Sequence, residues 1–122
     1  MQADLVKALG EQKVNLVAIS VDRHEVAKKM RRKHKLDFIV LSDPKAKSLK
    51  AFNIVNQLSR DTVSKYKNAY NIDVEADSGE KHHMVAHPAV FIVKDNIVIF
   101  SEVHTDYKQR TKNSDIIAAL KP

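Results

Sequence analysis

The 122-residue chain carries 21 Lys and Arg residues against 15 Asp and Glu, a formal net charge of +6 at pH 7. Its hydrophobic fraction of 43% and charged fraction of 30% are ordinary for a globular domain. The absence of Cys excludes disulfides, thiolate nucleophiles and cysteine zinc sites among these residues. Only Gly10 and Gly79 are glycines, so glycine-rich phosphate loops are excluded too.

Neither a membrane span nor a secretion signal is predicted. No window reaches 18 consecutive apolar residues. The first residues also lack the basic-then-apolar pattern of a signal peptide. We therefore expect a cytoplasmic protein whose residues 1–122 form one domain.

The first third of the chain alternates helix and strand patterns. Residues 2–12 have the apolar spacing of a helix. Residues 14–20 form a short, almost wholly apolar run, which is typical of a strand covered on both faces. Asp22, followed three residues later by Glu25, predicts the N-cap of a second helix.

The middle of the chain continues this alternation. Residues 38–41 indicate a second apolar strand. Pro44 suits the first turn of a third helix, which carries Leu49 and Phe52. A fourth helix is predicted to begin at Ser59.

The last third begins with residues 73–86, which are polar and mixed and predict a long loop. Residues 88–93 and 97–103 predict a hairpin, because Asp and Asn between them tolerate the positive φ of a tight turn. Asn113 or Ser114 is expected to cap a final helix. The order of elements predicts an α/β sheet covered on both faces and closed by an antiparallel hairpin.

A basic run occupies residues 28–35, in the second half of the second predicted helix. Such a run attracts phosphate or an acidic partner through long-range forces that salt weakens. A solvated helix face is the simpler interpretation. Since no aromatic residues interleave with the run to stack on bases, we do not expect nucleic acid to be the partner.

His82, His83 and His87 form the one cluster of residues that resembles a metal site. The spacing of His83 and His87 brings two ligands together only on a helix, and this stretch is predicted as loop and strand. Exposed loop histidines are the simpler interpretation, and we predict no metal site.

Several segments carry a resemblance to a known family. They are Leu16–Asp22, a strand pattern; Phe38–Asp43, a short strand that runs into a Leu-Ser-Asp turn; His87–Val93, a strand entered through a proline; and the closing Asp106–Arg110 (Asp-Tyr-x-x-Arg) with the helix Asp115–Leu120. In this order and spacing they resemble the AhpC/TSA peroxiredoxin-like family over essentially the whole chain. The resemblance implies a thioredoxin-like fold, a three-layer α/β/α sandwich.

The family's reactive Cys lies on a helix that precedes the point where this sequence begins. The resemblance implies that residues 2–12 are the tail of that helix. We therefore expect an N-terminally truncated thioredoxin-like domain without its first strand and its peroxidatic Cys. The family reduces peroxides or exchanges disulfides through a thiol. This Cys-free chain is expected to be inactive by itself, so whether it acts as an enzyme stays open.

No catalytic residue is assigned, but the resemblance places His87, Pro88 and Arg110 at the border of the former active site. Typical peroxiredoxins have an Arg at the position of Pro88, and Arg110 matches a second, structural Arg. The resemblance also implies a cis peptide bond between His87 and Pro88, as in the thioredoxin fold.

The alternative is a non-catalytic domain that keeps the scaffold in order to bind a partner. Loss of the first strand would leave the apolar strands at 14–20 and 88–93 without their common neighbour. We expect either direct pairing of these two strands or a homodimer, and we favour the homodimer. A thioredoxin-type reductant is expected only if a Cys-bearing segment is present. No cofactor and no membrane partner are expected, and the substrate stays open.

Overall fold

A computed structural model describes residues 2–106 and 108–120 of the chain. Its elements in chain order are α1 Gln2–Glu11, β1 Val17–Ser20, α2 His24–Lys33, β2 Ile39–Ser42, α3 Lys47–Ala51, β3 Val55–Gln57, α4 Arg60–Tyr70, α5 Val74–Ser78, β4 Met84–Ala86, β5 Ala89–Lys94, β6 Ile97–Val103 and α6 Asn113–Leu120. The chain divides into two compact units. The central unit is Val17–Ala86, and the terminal unit combines Met1–Leu16 with His87–Pro122.

The central unit contains two small sheets. Strands β1 and β2 pair in parallel with Ser20 opposite Ser42, and β3 pairs antiparallel with β4. A buried cluster of Val21, Ala46 and Leu49 forms its apolar core. Because β1 and β2 end side by side, the loops that follow them meet at one edge of the parallel pair.

The terminal unit is built on the antiparallel hairpin of β5 and β6. Its core is a buried cluster of Leu9 from α1, Ile92 from β5 and Ile116 from α6. Helices α1 and α6 pack against each other. The ends of the described chain are therefore joined by apolar packing rather than by a sheet.

Two predicted features are confirmed closely. The hairpin turn has Asp95 and Asn96 at φ values of 52° and 64°, the left-handed region that these residue types tolerate. Helix α4 follows Ser59 as its N-cap, and the Ser59 hydroxyl accepts a hydrogen bond of 3.1 Å from the amide of Thr62. Both features were predictable because turn and cap chemistry is local.

The predicted N-cap of α2 is wrong by one residue. Arg23 is the N-cap, and no side chain caps this helix. Asp22 is used in the preceding turn, where its amide donates to the Ser20 hydroxyl and its carbonyl accepts from the Ser42 hydroxyl. The tertiary contact with β2 therefore overrides the local capping pattern.

Pro44 does not lie in the first turn of α3, because the helix begins three residues later at Lys47. The turn before it is held by Asp43, whose carboxylate accepts hydrogen bonds from the amides of Lys47 and Ser48. Ala46 occupies the left-handed region at a φ of 57°. The capping carboxylate lies ahead of the proline, where the sequence pattern gave no sign of it.

Residues 73–86 are not a long loop. They contain helix α5, whose N-cap Asp73 accepts a hydrogen bond of 3.0 Å from the amide of Ala76, and strand β4. Gly79 ends α5 at a φ of 73°, a conformation that glycine adopts without strain. Strand β3, also missed from sequence, pairs with β4. These three elements have only three to five residues each and lack an apolar run as long as the one that identified β2, so their periodicity is too weak to be recognised.

The predicted cis bond at His87–Pro88 is wrong, because no peptide bond in residues 2–106 and 108–120 is cis. A trans X-Pro bond is intrinsically favoured by about 0.5–1 kcal/mol, and the packing around Pro88 does not reverse that preference. Pro88 is an ordinary proline directly before a strand, where its missing N–H costs no ladder hydrogen bond.

Strand β1 is shorter than predicted and is not covered on both faces. It begins at Val17 rather than at residue 14, and the side chains of Val17 and Ile19 are exposed. Strand β2 likewise exposes Ile39 and Leu41. An apolar run predicts a strand but cannot say how many of its faces another element covers. Among the described helices, none is both long and apolar enough to cross a membrane.

Candidate functional site

The residue Pro88 is fixed by the β5–β6 hairpin. It directly precedes β5, where Ala89 lies opposite Val103. One residue further out, the amide of His104 donates a hydrogen bond of 2.8 Å to the carbonyl oxygen of Pro88. The hairpin register therefore determines both the position of Pro88 and the direction of its carbonyl.

Two histidines flank this point, and each has a buried ring nitrogen without a hydrogen-bond partner. These atoms are Nδ1 of His87 and Nε2 of His104. Nε2 of His104 lies 2.6 Å from Oε1 of Glu102, which suits an ion pair when the ring is protonated, although the geometry is not that of a hydrogen bond. Buried polar atoms without partners are rare in folded proteins and concentrate where a ligand, a water or a catalytic group belongs.

Arg110 is exposed, and its Nη1 donates a hydrogen bond of 2.9 Å to the carbonyl oxygen of Gln109. The described bond that reaches Pro88 comes instead from His104, which the sequence analysis did not assign to this site. The predicted hairpin bounds alone could not have identified it, because the observed register shifts between Ile92 and Val93 and only then places Val103 opposite Ala89. The Asp-Tyr-x-x-Arg motif includes residue 107, which lies outside the described residues.

A polar network lies at the carboxyl ends of β1 and β2 in the central unit. The amide of Asp43 donates to the carbonyl oxygen of Ser20, and the Asp43 carboxylate accepts from the amide and the hydroxyl of Ser48. Burial raises the pKa of Asp43, but the hydrogen bonds from Ser48, Lys47 and Leu49 outweigh it and leave this pKa below its ordinary value. The carboxylate therefore stays charged and holds the start of α3.

Asp77 shows the opposite electrostatic behaviour. Burial raises its pKa, and the neighbouring carboxylates of Asp22 and Asp73 raise it further, while the charge of Arg23 opposes them. The backbone carbonyl of Asp77 also accepts a hydrogen bond of 2.6 Å from the amide of Arg23. This contact connects α5 to the beginning of α2.

The rings of His82 and His83 each lie beside a partner within the central unit. Nδ1 of His82 accepts from the amide of Met84 at 2.9 Å, so its proton is on Nε2, which lies 2.6 Å from the carbonyl oxygen of Pro44. Nε2 of His83 lies 2.8 Å from Oε2 of Glu75. Within the part of the chain that the structure describes, no three His, Asp or Glu side chains are grouped to hold a metal ion.

Alternating helices and strands, a parallel strand pair and an antiparallel hairpin entered through a proline define a mixed α/β protein, and the family match below identifies it as thioredoxin-like. Residues 2–101 match the AhpC/TSA family, so the chain belongs to this family, and the predicted resemblance and fold class are confirmed. No curated protein matches the chain. The family match ends before Arg110, whose assignment to the site stays a prediction.

Proposed function

We propose that these 122 residues supply the scaffold of a peroxiredoxin-like protein and do not by themselves reduce peroxides or exchange disulfides. The observation that carries this proposal is a family match over residues 2–101 in a chain without Cys. The family's chemistry needs a thiolate that attacks the peroxide or disulfide. The thioether of Met cannot form a disulfide, so no sulfur atom in this chain can replace that thiolate.

The proposal predicts two negative assays. Hydrogen peroxide should be consumed at the protein-free rate with dithiothreitol or with a thioredoxin reducing system as the electron donor. Insulin disulfides should likewise be reduced no faster than in the protein-free control. A Cys-bearing peroxiredoxin in the same assay shows that the donor system works. Catalytic turnover by the Cys-free chain, clearly above the protein-free rate, would overturn the proposal.

In this proposal His87, Pro88 and Arg110 border the place where the family's chemistry occurs, and His104 joins them through its hydrogen bond to Pro88. The unpartnered Nδ1 of His87 supports this, because a buried donor or acceptor without a partner is available to a ligand. We assign these residues to binding and orienting a ligand, and none of them to nucleophilic attack on it.

A second candidate function, binding of a partner, is favoured by one face of the β1–β2 pair. Val17 lies opposite Ile39 and Ile19 lies opposite Leu41. All four side chains point to the same face, and each is between 42% and 52% exposed. Parallel strands are normally covered on both faces, so an exposed apolar group of this kind indicates a surface that another chain covers.

We propose a second copy of this chain as the occupant. The face carries no charged side chain, so it offers nothing that would select an acidic or a basic partner. The same face on a second copy matches it in chemistry and forms a closed, twofold-symmetric interface. Each copy would then remove the apolar face of the other from water.

Light scattering tests the dimer with a matched pair of variants. Leu41→Glu places a charge on the proposed face, and Val98→Glu places one on β6 at a nearly equal exposure, 48% against 47%. The unmodified chain and Val98→Glu should have the mass of a dimer, and Leu41→Glu that of a monomer. A monomeric unmodified chain at high concentration, or a dimer in both variants, would contradict the proposal. Since the assays of thiol chemistry do not depend on assembly, the two proposals fail separately.

A further inference from the structure

The basic run predicted from the sequence forms one defined face of helix α2 and the turn that follows it. Lys28, Arg31 and Arg32 are three or four residues apart on α2, the spacing that brings helical side chains together on one face, and Lys35 in the turn after α2 lines the same concavity. Lys29 and Lys33 belong to the same run but do not line this face. The four residues are called the basic cluster below.

The end of α2 turns the chain back beside this face. The amide of Leu36 donates to the carbonyl of Arg31 at 3.0 Å, and the amide of Lys35 donates to the carbonyl of Arg32 at 3.3 Å. This pair of bonds is the Schellman arrangement, with Lys35 at the left-handed position at a φ of 50°. Leu36 and Asp37 line a concavity of about 310 Å³ together with the basic cluster.

The cations of the cluster are not neutralised. Among the residues that the structure describes, no carboxylate oxygen lies within 4.0 Å of a charged nitrogen of the cluster. Asp37 is the one acidic residue in the lining. Nε of Arg31 donates to the carbonyl oxygen of Leu36 at 3.4 Å, which orients the guanidinium while its terminal nitrogens stay available.

We propose that the basic cluster binds a chain of two or three linked phosphate groups. Four cations exceed what a single phosphate needs, and the two arginines offer paired donors that match phosphate oxygens. The concavity of about 310 Å³ is open to solvent and has room for a short polyphosphate group. The absence of aromatic side chains in the lining disfavours a stretch of single-stranded nucleic acid, whose bases need stacking partners.

Calorimetric titration with inorganic tripolyphosphate tests the proposal. Binding should be saturable at one site per chain and should weaken as salt is added. The double variant Lys28→Gln/Arg32→Gln should lose affinity about tenfold or more, because each charge-assisted hydrogen bond contributes strongly. The control Lys29→Gln/Lys33→Gln removes the same charge from the same helix at the same spacing and should bind nearly as the unmodified chain does.

The arms of the titration separate the possible ligands. Equal affinities for tripolyphosphate and ATP would show that the phosphate groups alone account for the binding. Much tighter binding of ATP would show that the linked phosphates recognised by the cluster belong to a nucleotide. Equal weakening in both double variants would overturn the proposal, because the effect would then be one of net charge. Binding of a duplex oligonucleotide without binding of tripolyphosphate would overturn it too.

Chemical shift mapping gives a test that needs no variant. Tripolyphosphate should move the backbone amide signals of residues 28–37 in the unmodified chain, and those of α4 and β6 should stay in place. Shifts spread over all Lys and Arg positions, or no shifts at all, would contradict a built site.

Discussion

The two units differ in whether their buried polar side-chain atoms have hydrogen-bond partners. Three buried side-chain atoms of the described residues have no hydrogen-bond partner, and all lie in the terminal unit: Nδ1 of His87, Oγ1 of Thr111 and Nε2 of His104, the last of which lies 2.6 Å from Glu102. In the central unit the one fully buried polar side chain, Ser78, is bonded on both sides. The unit with the best-satisfied polar groups is therefore not the unit that contains the candidate site.

The two units are therefore stabilised by different kinds of contact. In the central unit, the side chains of Asp43, Ser78 and His82 accept hydrogen bonds from backbone amides and so fix the segments that follow them. In the terminal unit, apolar packing of Leu9, Ile92 and Ile116 fixes the elements, and Nδ1 of His87, next to Pro88, has no hydrogen-bond partner. A buried polar atom without a hydrogen-bond partner lowers the stability of the fold, so its presence indicates that a ligand or a water molecule binds there.

The largest effect that would test the comparison concerns Ser78 and Thr111. Ser78 is 2% exposed, its hydroxyl lies 2.9 Å from the Val74 carbonyl oxygen, and it accepts from the amide of Glu80 at 3.1 Å. Ser78→Ala leaves these partners unsatisfied and should lower the free energy of unfolding by about 1–3 kcal/mol. Thr111→Val removes an unpaired hydroxyl and should be neutral or stabilising by up to about 1 kcal/mol.

Urea denaturation followed by circular dichroism measures both changes. The pair is matched, because each substitution removes one hydroxyl from a mostly buried position. Similar losses of stability in the two variants would show that the Thr111 hydroxyl has a partner in solution and would remove one of the three atoms on which the comparison stands.

In both units the sequence predicted turns and caps that depend on adjacent residues better than features that depend on contacts further along the chain. The hairpin turn at Asp95 and Asn96 and the cap at Ser59 depend on neighbouring residues alone. The turn before α3 depends on Asp43 reaching forward to amides four and five residues later, a pattern that a proline in between disguised.

The candidate site was predicted in part. The resemblance assigned His87 and Pro88 to the border of the site, and this assignment stays a prediction. The hydrogen bond from His104 to Pro88 depends on a hairpin register that shifts between Ile92 and Val93, which the sequence did not indicate. The state of the His87–Pro88 bond could not be predicted, because the difference between cis and trans is only about 0.5–1 kcal/mol and is decided by packing. The basic cluster was visible as a run, but the turn at Lys35 that makes it concave was not.

The next effect concerns Asp43 and its dependence on pH. Asp43→Asn removes the charge that the Lys47 and Ser48 amides bind and should lower the free energy of unfolding at pH 7 by about 1–2 kcal/mol. Asp61→Asn, in the first turn of α4, is the control and should change it by less, since Ser59 caps that helix.

The direction of the pKa shift determines how the contribution of Asp43 to stability changes with pH. The pKa of Asp43 is lowered from its ordinary value of 3.8, so its charged form stabilises the fold above that value, and this contribution is lost as the pH falls through the lower, folded pKa. The difference between the unmodified chain and Asp43→Asn should therefore be full at neutral pH and shrink below about pH 4. A difference that stays constant down to about pH 3 would show that shape, not charge, holds the turn.

The smallest effect concerns the two glycines, one in each unit. Gly10 lies within α1 with a negative φ, and a Cβ added there meets no atom within 4 Å. Gly10→Ala should therefore stabilise the chain by about 0.5–1 kcal/mol, because alanine restricts the unfolded chain and suits a helix.

Gly79 has a φ of 73°, and its added Cβ would lie 3.0 Å from Cδ of Arg23. Gly79→Ala should destabilise by about 1 kcal/mol, chiefly through the left-handed backbone, since the Arg23 side chain can move. Thermal unfolding of the two variants should give shifts of opposite sign. Two shifts of the same sign would contradict the backbone conformation described at Gly10 or at Gly79. A stabilised Gly79→Ala variant would show that the backbone at the end of α5 is not left-handed in solution.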